Sequence, residues 1–214
     1  MSKTKIHTVY KTADKKRVPG TTTITGQLVK PALVHWAWSL GCKGIDYKRF
    51  VDDKASIGTL AHAMVLSHLV GTEPCLKDYS QAQIDQAENC LLSYYEWEKG
   101  KVIEVIVAEE PLVSEAYRYG GTPDLVALVD GVPTLIDLKT GKGIYDEYAL
   151  QLAAYEQLVT EDIGETLDAR LILRIGRDED EGFEVRTFSD KQIDRAWRQF
   201  RALLDFYWIG KEKA

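Results

Sequence analysis

Asp130-Gly131, set between the apolar runs Leu125–Val129 and Val132–Leu138, constrains the fold of this chain more than any other pair of residues. An Asp-Gly pair in that setting specifies a two-residue hairpin, because a type I′ turn needs positive φ at both central positions. The turn also fixes the register. With Val129 facing Val132, opposed residues carry numbers summing to 261, so Asp124 faces Asp137 if no bulge intervenes. Counting from the turn puts these two aspartates at a non-hydrogen-bonded pair, where Cα atoms lie only ~4.5 Å apart. Like charges so placed destabilise a sheet. Lys139, two residues past Asp137, projects from the same face. Two readings of the acids are open. They lie on a solvated face with Lys139 offsetting their charge, or they share a hard divalent cation such as Mg²⁺ or Mn²⁺. The apolar residues around them, Leu125, Val126, Leu128, Leu135, Ile136 and Leu138, describe a hairpin apolar on both faces, where two acids call for a partner. Pro133 opposes Leu128 at a position where its missing N–H costs nothing on that side, but it interrupts pairing on the other.

Around the hairpin the pattern alternates between helix and strand. Helical periodicity runs from about Gln27 to Leu40, with Leu28, Leu33, Trp36 and Leu40 near one face, then over Ser56–Val70 and Ser80–Lys99. Val102–Ala108 and Tyr117–Val129 read as strands. Tyr145–Thr160 reads as a helix, Ala169–Ile175 and Gly182–Phe188 as two more strands, and Ser189-Asp190 as the cap of a last helix ending near Ile209. The order predicts an α/β fold, a central mixed β-sheet flanked by helices, with residues 21–214 as a single domain.

Charge is distributed unevenly. Within residues 1–20, six basic side chains against Asp14 alone give +5, so residues 21–214 carry −11 of the net −6. An acidic body disfavours sequence-blind adsorption to a phosphate backbone and confines any nucleic-acid contact to a local groove. Residues 1–20 are expected to form a basic, flexible arm that either helps hold nucleic acid or is a solvated tail. The chain shows no apolar run of membrane-spanning length and no signal-peptide pattern near Met1, so an intracellular setting without membrane contact is expected. Cys42, Cys75 and Cys90 lack metal-ligand spacing and are expected to be reduced thiols.

Pro123-Asp124, a twelve-residue spacer and Asp137-Leu138-Lys139 resemble the signature of the PD-(D/E)xK nuclease superfamily. Gly121-Thr122-Pro123-Asp124 is similar to its GxxD segment, and Ile136-Asp137-Leu138-Lys139-Thr140-Gly141 to the DxKTG segment of the RecB-type and phage exonuclease branch. Gln151 and Tyr155 match that branch's QxxxY motif, Gly58 and His62 its GxxxH helix motif, and Glu109-Glu110-Pro111 the acidic segment before the GxxD strand. The likeness covers roughly residues 55–160, in the family's order.

The resemblance implies a restriction-endonuclease-like core and a Mg²⁺- or Mn²⁺-dependent deoxyribonuclease. Asp124 and Asp137 would bind the metal, and His62 would complete its coordination. Lys139 would orient or activate water and help neutralise the scissile phosphate. Glu110, or alternatively Glu109, would support the metal or water, while Gln151 and Tyr155 would position the substrate or buttress the site. Read from the residues alone, His62 shares a helix face with Gly58, Leu66 and Leu69, which also describes a satisfied core histidine, and Tyr155 also fits ordinary packing. Three cysteines, none in the places used by the iron–sulfur relatives, imply no iron–sulfur cluster. The absence of a helicase or sequence-reading domain favours an exonuclease over a restriction enzyme, in bacterial or phage-type DNA recombination or processing. DNA ends or single strands are the expected substrate, with a homo-oligomer or a recombination protein as further partners. The alternative is a non-catalytic nucleic-acid-binding module on the same fold.

Overall fold

The computed structural model describes residues 8–212. Its centre is the expected hairpin. β4 (Leu125–Val129) and β5 (Val132–Lys139) pair antiparallel from Val129↔Val132 to Leu125↔Ile136, the register that the turn dictates. Asp130 and Gly131 have φ of 51° and 81°, the two positive values a type I′ turn requires. The provision that no bulge intervenes is met within this pair. β1 (Ile103–Ala108) adds antiparallel to β4, while β6 (Ala169–Ile175) adds parallel to β5 and β7 (Phe183–Thr187) antiparallel to β6. The five strands therefore lie in the order β1-β4-β5-β6-β7. Pro133 stands where the parallel ladder begins. Its carbonyl accepts from Asp168 N–H (2.9 Å), and strand pairing starts one residue later, at Thr134↔Ala169.

Side-chain alternation along the central strands gives the sheet two apolar faces. Leu125, Ala127, Ile136, Leu138 and Leu173 pack against α3 (Tyr47–Val70) and α4 (Gln81–Glu98). Val126, Leu135 and Ile172 pack on the other side against α5 (Tyr148–Leu158) and α6 (Asp190–Ile209). The result is an α/β fold with helices on both faces of a mixed sheet, as expected from the sequence. Gln83 and Gln192 reach back to the Ser80 and Ser189 N–H groups (3.0 Å each), which starts α4 and α6 where the sequence places them.

Several boundaries differ from expectation, each for a local reason. The helix expected from Gln27 is α2 (Pro31–Cys42), because the residue before a proline is pushed out of the α region, and Lys30 lies outside it at φ −114° and ψ 86°. Its expected apolar face is mostly open, since only Leu40 is buried. α3 begins at Tyr47 rather than Ser56, with the Asp46 side chain accepting from Arg49 N–H (3.0 Å). The single strand expected over Tyr117–Val129 is broken. β3 (Tyr119–Gly121) pairs with β2 (Leu112–Ser114) in a separate ribbon, and Thr122–Asp124 connect it to β4. Gly120 N–H is taken by the Pro19 carbonyl (2.9 Å), and Pro123 has no N–H to offer a ladder. α5 ends at Leu158 and continues as a π turn over Val159–Ile163.

The expected basic arm is the largest departure. Residues 1–7 lie outside the described residues, but from Tyr10 onward the chain folds back on the body. Lys11 bridges Arg17, Val18 N–H bonds the Tyr10 carbonyl, and Val18 and Thr12 are buried. The Tyr10 ring lies so close to Gly120 that a Cβ there would come within 2.3 Å of it, and its hydroxyl meets Thr122 Oγ1 at 2.8 Å. Charge alone did not reveal this anchoring. The apolar contacts of Tyr10 and Val18 hold the segment, while Lys11, Lys15, Lys16 and Arg17 remain exposed. After α1 (Thr21–Thr25) the chain enters the helical layers. No helix among the described residues is long and apolar enough to cross a membrane.

Candidate active site

The hairpin register brings Asp124 and Asp137 to the end of β4 and β5 away from the turn, as neighbours on the sheet face that α5 covers. Asp124 is one residue outside β4, and its position is fixed from both sides. Its Oδ2 accepts from Leu138 N–H (2.8 Å), and its carbonyl accepts from Glu109 N–H (3.1 Å). Asp137 is fully buried, and its Oδ1 has no hydrogen-bond partner. Lys139 Nζ stands against its Oδ2 as an ion pair. The ammonium also donates to Gln151 Oε1 (3.2 Å) and lies 5.1 Å from the centre of the Tyr148 ring. Gln151 Nε2 in turn donates to the Tyr155 hydroxyl (2.9 Å). From the opposite helical layer, His62 Nδ1 comes to 3.4 Å of Asp124 Oδ1.

Burial and mutual charge set the protonation of this group. Burial pushes the Asp137 carboxyl up to about 6 and Asp124 adds to the rise, although Lys139 opposes it. Burial works against the charge on Asp124 as well, but the His62 contact outweighs it and holds that carboxyl below the usual range. His62 is held above its ordinary value. Burial opposes its charge, and Asp124 overcomes that opposition. Lys139 likewise stays above the usual lysine range despite burial, because Asp137 and Asp124 flank it. It is therefore a positive charge at neutral pH and not a base. Burial, with Asp137 and Asp124, keeps the Tyr155 hydroxyl protonated.

The structure thus brings together His62, Asp124, Asp137, Lys139, Gln151 and Tyr155. Tyr155 is buried behind Gln151, so it buttresses that side chain rather than facing solvent. Of the two adjacent acids, Glu109 lies within electrostatic reach of Asp124 and His62. Burial and Asp124 raise the Glu109 carboxyl, with His62 opposing. A bulge between Val105 and Val107 shifts the strand register, and Glu109 leaves the strand at φ 48°. Bulges beside functional sites re-aim side chains in this way, and a sequence pattern does not reveal them. The sequence reading also missed Tyr148, which lies under the lysine one turn before Gln151.

The donor set suits a hard divalent cation. Asp137 presents a buried Oδ1 without a partner and an Oδ2 held by Lys139, and Asp124 has Oδ1 free of any backbone bond. Among the described residues no three His, Cys, Asp or Glu side chains come together as a set that could hold a metal ion, so the candidate donors are the two aspartates and His62 does not complete the expected three-ligand set. Two carboxylates are within the range Mg²⁺ uses, the rest of its shell being water and substrate oxygens.

In comparisons with known proteins, no family model and no curated sequence matches the chain. Among solved structures it is similar to a Eubacterium rectale protein assigned as an exonuclease, with a TM-score of 0.44 and 14% identity over 68% of this chain. The match spans 64% of that protein's length. It is also similar to LHK-Exo in complex with dAMP, at a TM-score of 0.32 and 13% identity, covering 69% of this chain and 77% of that one. A second structure of LHK-Exo, an alkaline exonuclease from Laribacter hongkongensis, gives a TM-score of 0.31 and 11% identity, covering 72% and 84%.

Proposed function

We propose that this chain is a Mg²⁺- or Mn²⁺-dependent deoxyribonuclease that hydrolyses phosphodiester bonds, acting from DNA ends. The observation that carries this reading is Asp137: a fully buried carboxylate whose Oδ1 has no partner and whose Oδ2 is ion-paired to Lys139, beside a second aspartate. A buried carboxylate oxygen without a partner is costly unless a ligand completes it. Asp124 and Asp137 would hold the cation, with His62 orienting Asp124 through its Nδ1. When bound, such an ion supplies charge to the phosphate and lowers the pKa of the attacking water. Glu109 faces Asp124 and His62 and would help hold that water.

Lys139 contributes a point charge toward the same phosphate. Its position is set by Asp137, by Gln151 Oε1 and by the Tyr148 ring, so the ammonium is held in place before substrate arrives. Tyr155 fixes the amide of Gln151 and thereby decides which of its ends meets the lysine. The likeness of the site segments to the RecB-type and phage exonuclease branch supports action from ends and a place in DNA recombination or processing.

The test is digestion of end-labelled linear DNA with and without Mn²⁺, beside a closed circular substrate. Wild type should release label from linear DNA only with the metal, and spare the circle. Asp124→Ala and Lys139→Ala should each lose at least about a hundredfold in rate. Equal activity in wild type and variants would overturn the reading. Metal-dependent binding without any product would replace it with a non-catalytic nucleic-acid-binding module.

A further inference from the structure

β5 and β6 run parallel, so their carboxyl ends lie side by side, with Thr140 following one and Gly176-Arg177 following the other. The crevice outside such strand ends is where open α/β sheets bind ligands. Arg177 occupies it. Its Nη2 donates to Thr140 Oγ1 (2.9 Å) and reaches the Lys54 carbonyl (3.4 Å). Thr140 directly follows Lys139, and its Oγ1 would be 3.0 Å from a Cβ at Gly58, one helical turn before His62. The guanidinium is therefore attached to the strand that carries Lys139 and lies against the helix that carries His62.

What the guanidinium lacks is an anion. Its Nε is buried without a hydrogen-bond partner, and no carboxylate among the described residues lies within ion-pair distance. Glu181, the carboxylate that acts on Arg177 most, is already engaged: its Oε2 accepts from the Arg177 backbone N–H (2.9 Å) and lies 3.9 Å from Arg174. Asp178 and Asp53 act on Arg177 more weakly. Buried arginines normally pair with a carboxylate or phosphate, because desolvating the charge is otherwise uncompensated. The planar fork suits phosphate oxygens in particular.

We infer that Arg177 binds a phosphate of the nucleic-acid strand next to the scissile one, with Thr140 holding the fork in place. This rests on the nuclease reading and adds to it a second phosphate contact, on the far side of β5 from Gln151. None of the motifs that identify the site includes Arg177. In the sequence it is only the first residue of an acidic turn.

The test uses Arg177→Gln and Arg177→Lys, each also in a Lys139→Ala background for binding measurements. Affinity for end-labelled linear DNA is measured by anisotropy across a salt series with Mn²⁺, and kcat and KM are measured in the cleaving proteins. Arg177→Gln should weaken binding about tenfold or more. It should also lower the slope of log affinity against log salt by about 0.7 to 0.9, the loss expected for one phosphate contact. KM should rise more than kcat falls. Arg177→Lys should restore the salt slope while recovering only part of the affinity, since the charge returns without the fork. An unchanged affinity and salt slope, with a lower melting temperature or lower kcat alone, would show that Arg177 is a strut and overturn the inference. A wild-type protein that cleaves DNA while Arg177→Gln matches it in every measure would overturn this inference and leave the nuclease reading standing. A wild-type protein that neither binds nor cleaves DNA would end both.

Discussion

Replacing Asp137 by Asn should make the metal-free protein more stable at pH 8 while abolishing its activity. The carboxyl is raised from 3.8 to about 6 by burial and by Asp124, and this value is already net of the attraction to Lys139. A difference of that size corresponds to about 3 kcal/mol of instability in the ionised folded state. The amide avoids the charge but still buries polar atoms without partners, which returns roughly 1 to 2 kcal/mol. The expected net gain at pH 8 is therefore about 1 to 2 kcal/mol. Its pH dependence is the diagnostic. A carboxyl with a raised folded pKa costs stability fully above about pH 6, less as the pH falls from 6 toward 4, and nothing below the unfolded value. The advantage of Asp137→Asn should thus shrink by about 1.5 kcal/mol between pH 8 and pH 5. Urea unfolding of both proteins in EDTA at the two pH values measures this directly. Mn²⁺ should then stabilise wild type and leave Asp137→Asn unmoved. If the Asn protein is the less stable at pH 8, or the difference is the same at both pH values, Asp137 is not the strained group described here.

Gly121→Ala should destabilise the fold by about 1 to 3 kcal/mol through overpacking, because its Cβ would lie 2.7 Å from both Thr21 Oγ1 and Tyr155 Cε1. A change below about 0.5 kcal/mol in urea unfolding would mean that those side chains move aside freely. Replacing Lys11, Lys15 and Arg17 together by Gln should flatten the salt dependence of DNA binding without lowering the melting temperature, since all three are exposed. Deleting residues 1–20 is not an equivalent experiment, because it also removes the Tyr10 and Val18 packing; unchanged affinity of the triple variant across a salt series would identify the segment as a purely structural clasp.

Much of the fold and the centre of the site were legible because one local rule fixed long-range geometry. The Asp130-Gly131 turn set the register, and the register alone placed Asp124 opposite Asp137 and put Lys139 on their face. The two apolar faces of β4 and β5 were equally readable, since alternation in a strand covered on both sides leaves no polar stripe. What was not legible depended on contacts between segments distant in sequence. The backbone at Glu109 is set by a bulge at Val105–Val107 and a positive φ, neither of which has a sequence signature here. The basic segment is anchored by Tyr10 against Gly120, more than a hundred residues away, and a tally of charges could not anticipate that. Arg177 escaped notice because its partner Thr140, just past the end of β5, is 37 residues away in sequence.

The position of the acids explains why the fold tolerates them. Asp124 and Asp137 lie at the rim where β4 and β5 end, so each helical layer can reach them with one side chain: His62 from α3, and Gln151 from α5 by way of Lys139. In the middle of the sheet the same pair would meet only Val126, Leu135 or Ile172, and burial would neutralise both. At the rim, His62 keeps Asp124 ionised while burial and Asp124 push Asp137 the other way. Neighbouring carboxylates whose environments drive their protonation apart form a pair that accepts positive charge readily, and in Asp137 the Oδ1 is open to a cation without displacing Lys139 from Oδ2. The feature that costs the empty protein stability is therefore the one that would give a bound ion its affinity, and removing it should exchange one for the other.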